Sequence, residues 1–238
     1  MNFEGKNILV VGGSSGIGLS LVQSLHQQKA NVYVISRTVS PAWPDEIKSL
    51  QADVSKELDT VEAFLPEQLH GLVYAVGSIT LKPFNRLSAE DFFNDYQLNV
   101  LGAVRTTQIA LKALKNAGSS SIVFISSVAA KIGLPYHASI AAAKGAVEGM
   151  AISLAAELAS LKIRVNVVSP SLTNTSLAEK LLNSPEKQEA SAKRHPLGRY
   201  GQPEDVSNSI AFLLSDKSSW MTGQVIGIDG GMGNLKTT

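Results

Sequence analysis

Residues Gly12-Gly13-Ser14-Ser15-Gly16-Ile17-Gly18 bring glycines and small hydroxylic side chains together in one short stretch. They follow the apolar run Asn7 to Val11 and precede a helical pattern, so bare backbone amides and a helix N-terminus would face whatever binds there. That arrangement suits a pyrophosphate. A tight strand-to-helix turn needs glycine on steric grounds alone, and this plainer reading competes with the ligand one. The next apolar run ends in Ser36-Arg37. A dinucleotide fold selecting NAD would carry an acid there for the ribose hydroxyls, whereas Arg37 suits a 2′-phosphate, which makes NADP(H) the expected cofactor over NAD(H). A solvated surface arginine is the alternative.

These residues need a scaffold, and the rest of the chain supplies its pattern. Short β-branched runs recur at Asn7 to Val11, Asn31 to Ile35, Leu72 to Val76, Ser121 to Ile125, Arg164 to Val168 and Gln224 to Ile228, with a weaker one at Ile47 to Ala52. Helical patterns lie between them at Gly16 to Gln28, Ser88 to Lys115, Ala138 to Ser160 and Pro203 to Leu214. Strand and helix in alternation predict a Rossmann-like doubly wound α/β fold, a parallel sheet of about seven strands with helices on both faces. Ser88 with Asp91 reads as a capping box, and Pro203 stands where a first helical turn tolerates proline. No repeat, low-complexity tract or long linker divides residues 1–238, so a single domain is expected. The polar stretch Thr175 to Arg199, with Pro185 and Pro196, reads as a mobile flap over a ligand site.

Composition narrows the function classes. A net charge of +1, from 21 basic and 20 acidic side chains spread along the chain, argues against nucleic-acid and membrane-surface partners. With no cysteine and only four histidines, at 26, 70, 137 and 195, no metal site is expected. The N-terminus lacks the apolar length of a signal or membrane-spanning segment, which points to the cytoplasm.

Taken together, the motifs resemble those of the short-chain dehydrogenase/reductase family. Its T-G-x-x-x-G-x-G pattern is matched from Gly12 to Gly18, with Val11 in place of threonine. Further likenesses are Asp53-Val54, Asn99-Val100-Leu101-Gly102, Ser126-Ser127, Lys144, Asn166-Val167-Val168-Ser169-Pro170 followed by Thr175, Gly198-Arg199, Gln202-Pro203-Glu204-Asp205 and Asp229-Gly230-Gly231. The resemblance implies a carbonyl/alcohol oxidoreductase. Gly12, Ser14, Ser15, Gly16, Ile17 and Gly18 would cradle the pyrophosphate, and Asp53, with Val54, would meet the adenine. Lys144 would anchor the ribose, and Thr175, with Pro170 and Thr173, would face the nicotinamide end. Ser127 would polarise the substrate carbonyl, and Asn99 would hold a water relaying protons toward Lys144. Each of these residues also has a plainer reading, as a satisfied helix asparagine, a strand-end hydroxyl or an exposed helix lysine.

The family's Y-x-x-x-K motif is broken. Four residues before Lys144, and thirteen after Ser127, stands Ile140. Hydride transfer to a carbonyl builds negative charge on oxygen, which an acid must meet, and isoleucine has no proton to give. Three accounts compete. Tyr136 or His137 takes over, although eight helical residues would put the Cα atoms of Tyr136 and Lys144 about 12 Å apart and Pro135 puts Tyr136 at the helix start. The enzyme is slow or uses an altered proton source, such as water held by Asn99 and Lys144. Or the protein binds NADP(H) without turnover, as a sensor or a supporting subunit.

Two further departures are Thr38 to Glu46, whose Pro41 and Pro44 leave no room for a full crossover helix, and Ser171, where the family commonly has glycine. The resemblance also implies a homodimer or homotetramer. Ala141, Gly145, Gly149 and Ala156 would let two copies of the Ala138 to Ser160 helix approach closely, or would pack internally.

Overall fold

The β-branched runs form seven strands: β1 (Asn7–Val11), β2 (Asn31–Ser36), β3 (Lys48–Gln51), β4 (Gly71–Tyr74), β5 (Ser120–Ile125), β6 (Ile163–Pro170) and β7 (Val225–Ile228). In the computed structural model, which describes residues 1–56, 58 and 60–236, they make one parallel sheet in the order β3-β2-β1-β4-β5-β6-β7. The helices are α1 (Gly16–Gln27), α2 (Val61–Phe64), α3 (Ala89–Tyr96), α4 (Gly102–Asn116), α5 (Ala138–Leu158), α6 (Glu179–Leu182), α7 (Pro185–Lys193) and α8 (Pro203–Leu214). Both faces of the sheet are covered at its centre, which is why β1, β2 and β4 read as apolar runs, whereas the edge strand β3 is polar and largely exposed. On one face Leu21, Val22 and Leu25 of α1 and Val206 and Ile210 of α8 pack on Ile8, Val10, Val34 and Val123. On the other, Ala110 and Leu114 of α4 and Val147, Ala151 and Leu158 of α5 pack on Leu9, Leu72, Phe124 and Val165. The α5 region is long and apolar enough to cross a bilayer, but in this fold Ala143, Val147, Ala151, Ala155 and Leu158 of α5 are buried in the core.

Strand order reverses at β1, flanked by β2 and β4, and a doubly wound sheet opens its ligand crevice at the C-terminal strand ends beside such a point. One expectation needs correction and two gain detail. The Ser88 to Lys115 helix is interrupted: Ser88 caps α3 in a capping box with Asp91, a π-helical turn spans Gln97–Leu101, and α4 runs on to Asn116. Thr175 to Arg199 is mainly helical, with a 3-10 turn at Ser176–Ala178 followed by α6 and α7; Ser184 caps α7 and Pro185 occupies its first turn. Tyr136 precedes α5 rather than opening it, since His137 is the N-cap. The link from β2 to β3 has no helix, as its prolines imply. Trp43 ties it down, its indole N–H donating to the Gly13 carbonyl at 2.9 Å while Gln23 Nε2 donates to the Ala42 carbonyl at 3.1 Å.

Candidate active site

At the β1–α1 junction the chain cannot carry larger residues. A Cβ on Gly18 would lie 2.1 Å from the Gly12 carbonyl oxygen, and Gly12 itself holds φ 87°, the left-handed region that favours glycine. Ser15 is the extended N-cap of α1, and its side chain makes no capping hydrogen bond. Among the described residues, the amides of Ser14, Ser15, Gly16 and Ile17 donate to no protein acceptor. Free amides converging at a helix N-terminus fit a pyrophosphate, so the residues present match a dinucleotide. From far along the chain, Thr175 closes on this loop: its Cγ2 would be 3.0 Å from a Cβ on Gly16. Arg37 lies exposed just past the end of β2, its carbonyl held by Gln51 Nε2 at 2.7 Å. Asp53 accepts from the Ser55 amide at 3.0 Å and the Ser55 hydroxyl at 2.7 Å, and these bonds hold its carboxyl below the usual range. Val54 beside it is buried.

A cavity of about 620 Å³ opens at the C-terminal ends of β4, β5 and β6. Ile17, Ser127, Tyr136, Ile140, Lys144, Pro170, Thr173 and Thr175 all line it, which brings together residues that sequence reasoning selected from separate parts of the chain. Ser127 follows β5 and caps a 3-10 turn, its Oγ accepting from the Ala129 amide at 3.2 Å. That bond uses a lone pair and leaves the hydroxyl proton free to donate. Lys144 is buried, with Nζ donating to the Ile125 carbonyl at 2.9 Å. Burial pushes its ammonium down to about 8, opposed by the negative charge of Asp95.

Asn99 lies in the π turn, where its Nδ2 donates to Ser78 Oγ at 3.0 Å and to the Asp95 carbonyl at 2.8 Å. Its Oδ1 is buried without a partner among the described residues. A Cβ on Gly77 would lie 3.4 Å from both this oxygen and Lys144 Nζ, so acceptor and ammonium border one small space. Tyr136 is 61% exposed, holds φ 70°, and accepts from the Lys82 amide through its carbonyl. Such a conformation is costly for an aromatic residue and collects at functional sites.

Residues 11–233 match the family described as Enoyl-(Acyl carrier protein) reductase. A tropinone reductase homolog of Arabidopsis thaliana is 38% identical, the match covering 97% of this chain and 93% of that protein. The crystal structure of a short chain dehydrogenase family protein from Francisella tularensis superposes with a TM-score of 0.90 at 32% identity, covering 97% of this chain and 99% of the other. The chain belongs to the short-chain dehydrogenase/reductase family. It is thus an oxidoreductase by descent, built on that family's nucleotide-binding fold. Another solved structure, described as ElxO with NADP bound, aligns with a TM-score of 0.87 at 28% identity over 95% of this chain and 98% of that one.

Two polar clusters beside this site escaped sequence reasoning. Asp95, on α3, is buried and accepts from Ser78 Oγ at 2.7 Å, Thr80 Oγ1 at 2.9 Å and Ser139 Oγ at 2.7 Å. Ser139 immediately precedes Ile140, so the cluster reaches the first turn of α5. Ser171, unexplained by sequence, lies 2.8 Å from Nε2 of the buried His195 through its Oγ.

Proposed function

We propose that the protein is an NADP(H)-dependent oxidoreductase of carbonyl or alcohol substrates, working in the cytoplasm as a homo-oligomer and without a tyrosine proton donor. What carries the reading is one cavity in which Ser127 keeps a free hydroxyl proton and Lys144 a buried amine beside a glycine cradle with free amides. When bound, the reduced nicotinamide supplies a hydride. The amides of Ser14 to Ile17 would hold the diphosphate, Lys144 the ribose, and Thr175 with Pro170 and Thr173 the ring. The Ser127 hydroxyl would donate to the substrate oxygen as charge builds there. Ile140, buried at 5% exposure in the cavity wall, favours an apolar substrate body, as do Ile79, Leu81, Leu134, Leu177 and Leu181 around it. The orphaned Asn99 Oδ1 and Lys144 Nζ offer a water both an acceptor and a donor.

Preference for the phosphorylated cofactor rests on Arg37, and a neighbour of the same architecture solved with NADP bound supports it. Calorimetric titration tests it. NADPH is expected to bind at least about tenfold more tightly than NADH, and Arg37→Gln to remove the difference, since one charge-assisted hydrogen bond contributes about 1.5–3 kcal/mol. Equal affinities in the unaltered protein sink the preference. No heat with any form of either cofactor sinks the whole reading.

A further inference from the structure

Ser171 leaves the end of β6, and His195 follows α7, yet their side chains meet in the wall of the cavity. His195 Nδ1 lies 2.7 Å from the Ser191 carbonyl, which can only accept, so Nδ1 carries a proton. In the neutral ring Nε2 is then the acceptor, and the Ser171 hydroxyl donates a hydrogen bond to it at 2.8 Å. The result is a hydroxyl bonded to a base whose orientation is fixed by a third group, the arrangement that activates a hydroxyl. Both partners are held in place: Thr173 Oγ1 donates to the Ser171 carbonyl at 3.0 Å, and the His195 ring packs on Gly230, where a Cβ would sit 3.6 Å from Cδ2.

Strand register fixes where this pair acts. β5 and β6 are paired with Ile125 opposite Val168, and the Ser126 amide donates to the Val168 carbonyl at 2.8 Å. Ser127 and Ser171 therefore leave neighbouring strands, about 4.8 Å apart, at the same rim, and both line the cavity with Ile140.

We infer that Ser171 and His195 form a proton-transfer pair serving the substrate oxygen, in place of the hydroxyl that Ile140 lacks. The inference rests on the oxidoreductase reading. In reduction, the carbonyl carbon gains a hydride from the reduced nicotinamide cofactor and the carbonyl π pair moves to oxygen. That oxygen takes the Ser171 Oγ proton, and Oγ is reprotonated from Nε2–H of the imidazolium form of His195. The neutral ring regains its proton from solvent. Oxidation of an alcohol runs the same path backwards. Both hydrogen bonds of the ring survive either protonation state, because only the Ser171 hydroxyl hydrogen has to turn.

The test compares the unaltered protein with Ser171→Ala, His195→Gln, the double variant and Ile140→Tyr. NADPH consumption is followed against a panel of aliphatic and aryl ketones and aldehydes, with NADPH affinity measured for each protein. Ser171→Ala and His195→Gln are each expected to lose about a hundredfold in kcat with NADPH affinity held within about twofold, and the double variant to be no worse, since the pair acts as a unit. If the His195 variant fails to bind NADPH, Ser171→Ala decides. Unchanged kcat in Ser171→Ala overturns the pair and leaves the oxidoreductase reading standing. Activity in Ile140→Tyr with none in the unaltered protein overturns it too, because the pair then supplies no proton. No turnover in either, with NADPH bound, overturns the oxidoreductase reading itself and the inference with it. Imidazole nitrogen NMR gives a readout free of turnover: His195 protonated on Nδ1, with an Nε2 resonance that moves in Ser171→Ala. A neutral ring protonated on Nε2 instead overturns the assignment.

Discussion

Lys144 shows how much a single side chain depends on its surroundings. Its pKa of about 8 in the fold is below the ordinary 10.5, so between these values the unfolded chain binds the extra proton and the folded one does not. Stability therefore rises with pH across that window, as the buried ammonium loses its charge. Denaturant midpoints are expected to rise from the lower to the upper edge of the window in the unaltered protein, and Lys144→Met to lose most of that increment. A midpoint difference between the two proteins that ignores pH would contradict it. The glycine turn was legible in the sequence because its steric demand is local, within Gly12 to Gly18. The Ser171–His195 contact was not, since 24 residues separate partners that only the tertiary fold brings together. Asp95 stayed hidden for a related reason: nothing in helical periodicity says that Ser78, Thr80 and Ser139 converge on one carboxylate.

At the scale of elements, strands and long helices were readable because burial on both faces writes itself into the sequence as apolar runs. The capping box of α3 was also visible, with the Ser88 hydroxyl accepting from the Asp91 amide and the Asp91 carboxylate from the Ser88 amide. Ser88→Ala is expected to cost about 1 kcal/mol in chemical denaturation, and a loss below a few tenths would mean that tertiary packing alone fixes the helix start. The π turn at Gln97–Leu101 was beyond reach, because one extra residue in a helix leaves the apolar pattern nearly unchanged. It nonetheless decides where Asn99 sits. α7 was missed for a different reason. Its residues are polar, so no apolar stripe announced it, although Ser184 and Pro185 carried the same start signal that Pro203 gave for α8.

At the scale of the whole molecule, the small residues of α5 divide between two uses. Ala143, Ala151 and Ala155 are buried in the core, while added Cβ atoms on Gly145 and Gly149 would meet nothing within 4 Å and Ile152 is 52% exposed. That open, small-residue face suits a second copy of the helix. Gly149→Arg is expected to shift the protein toward monomer in sedimentation velocity, and an unchanged assembly would place the interface elsewhere. The two tryptophans stand in contrasting places: Trp43 against the backbone of Gly13, and Trp220 at 98% exposure. A tryptophan thus abuts the glycine turn proposed to hold the diphosphate, where it can report on binding. In a Trp220→Phe background, intrinsic fluorescence is expected to dim as the cradle fills. Exchanging Trp43 for phenylalanine instead would leave a lamp in open water, blind to what happens inside.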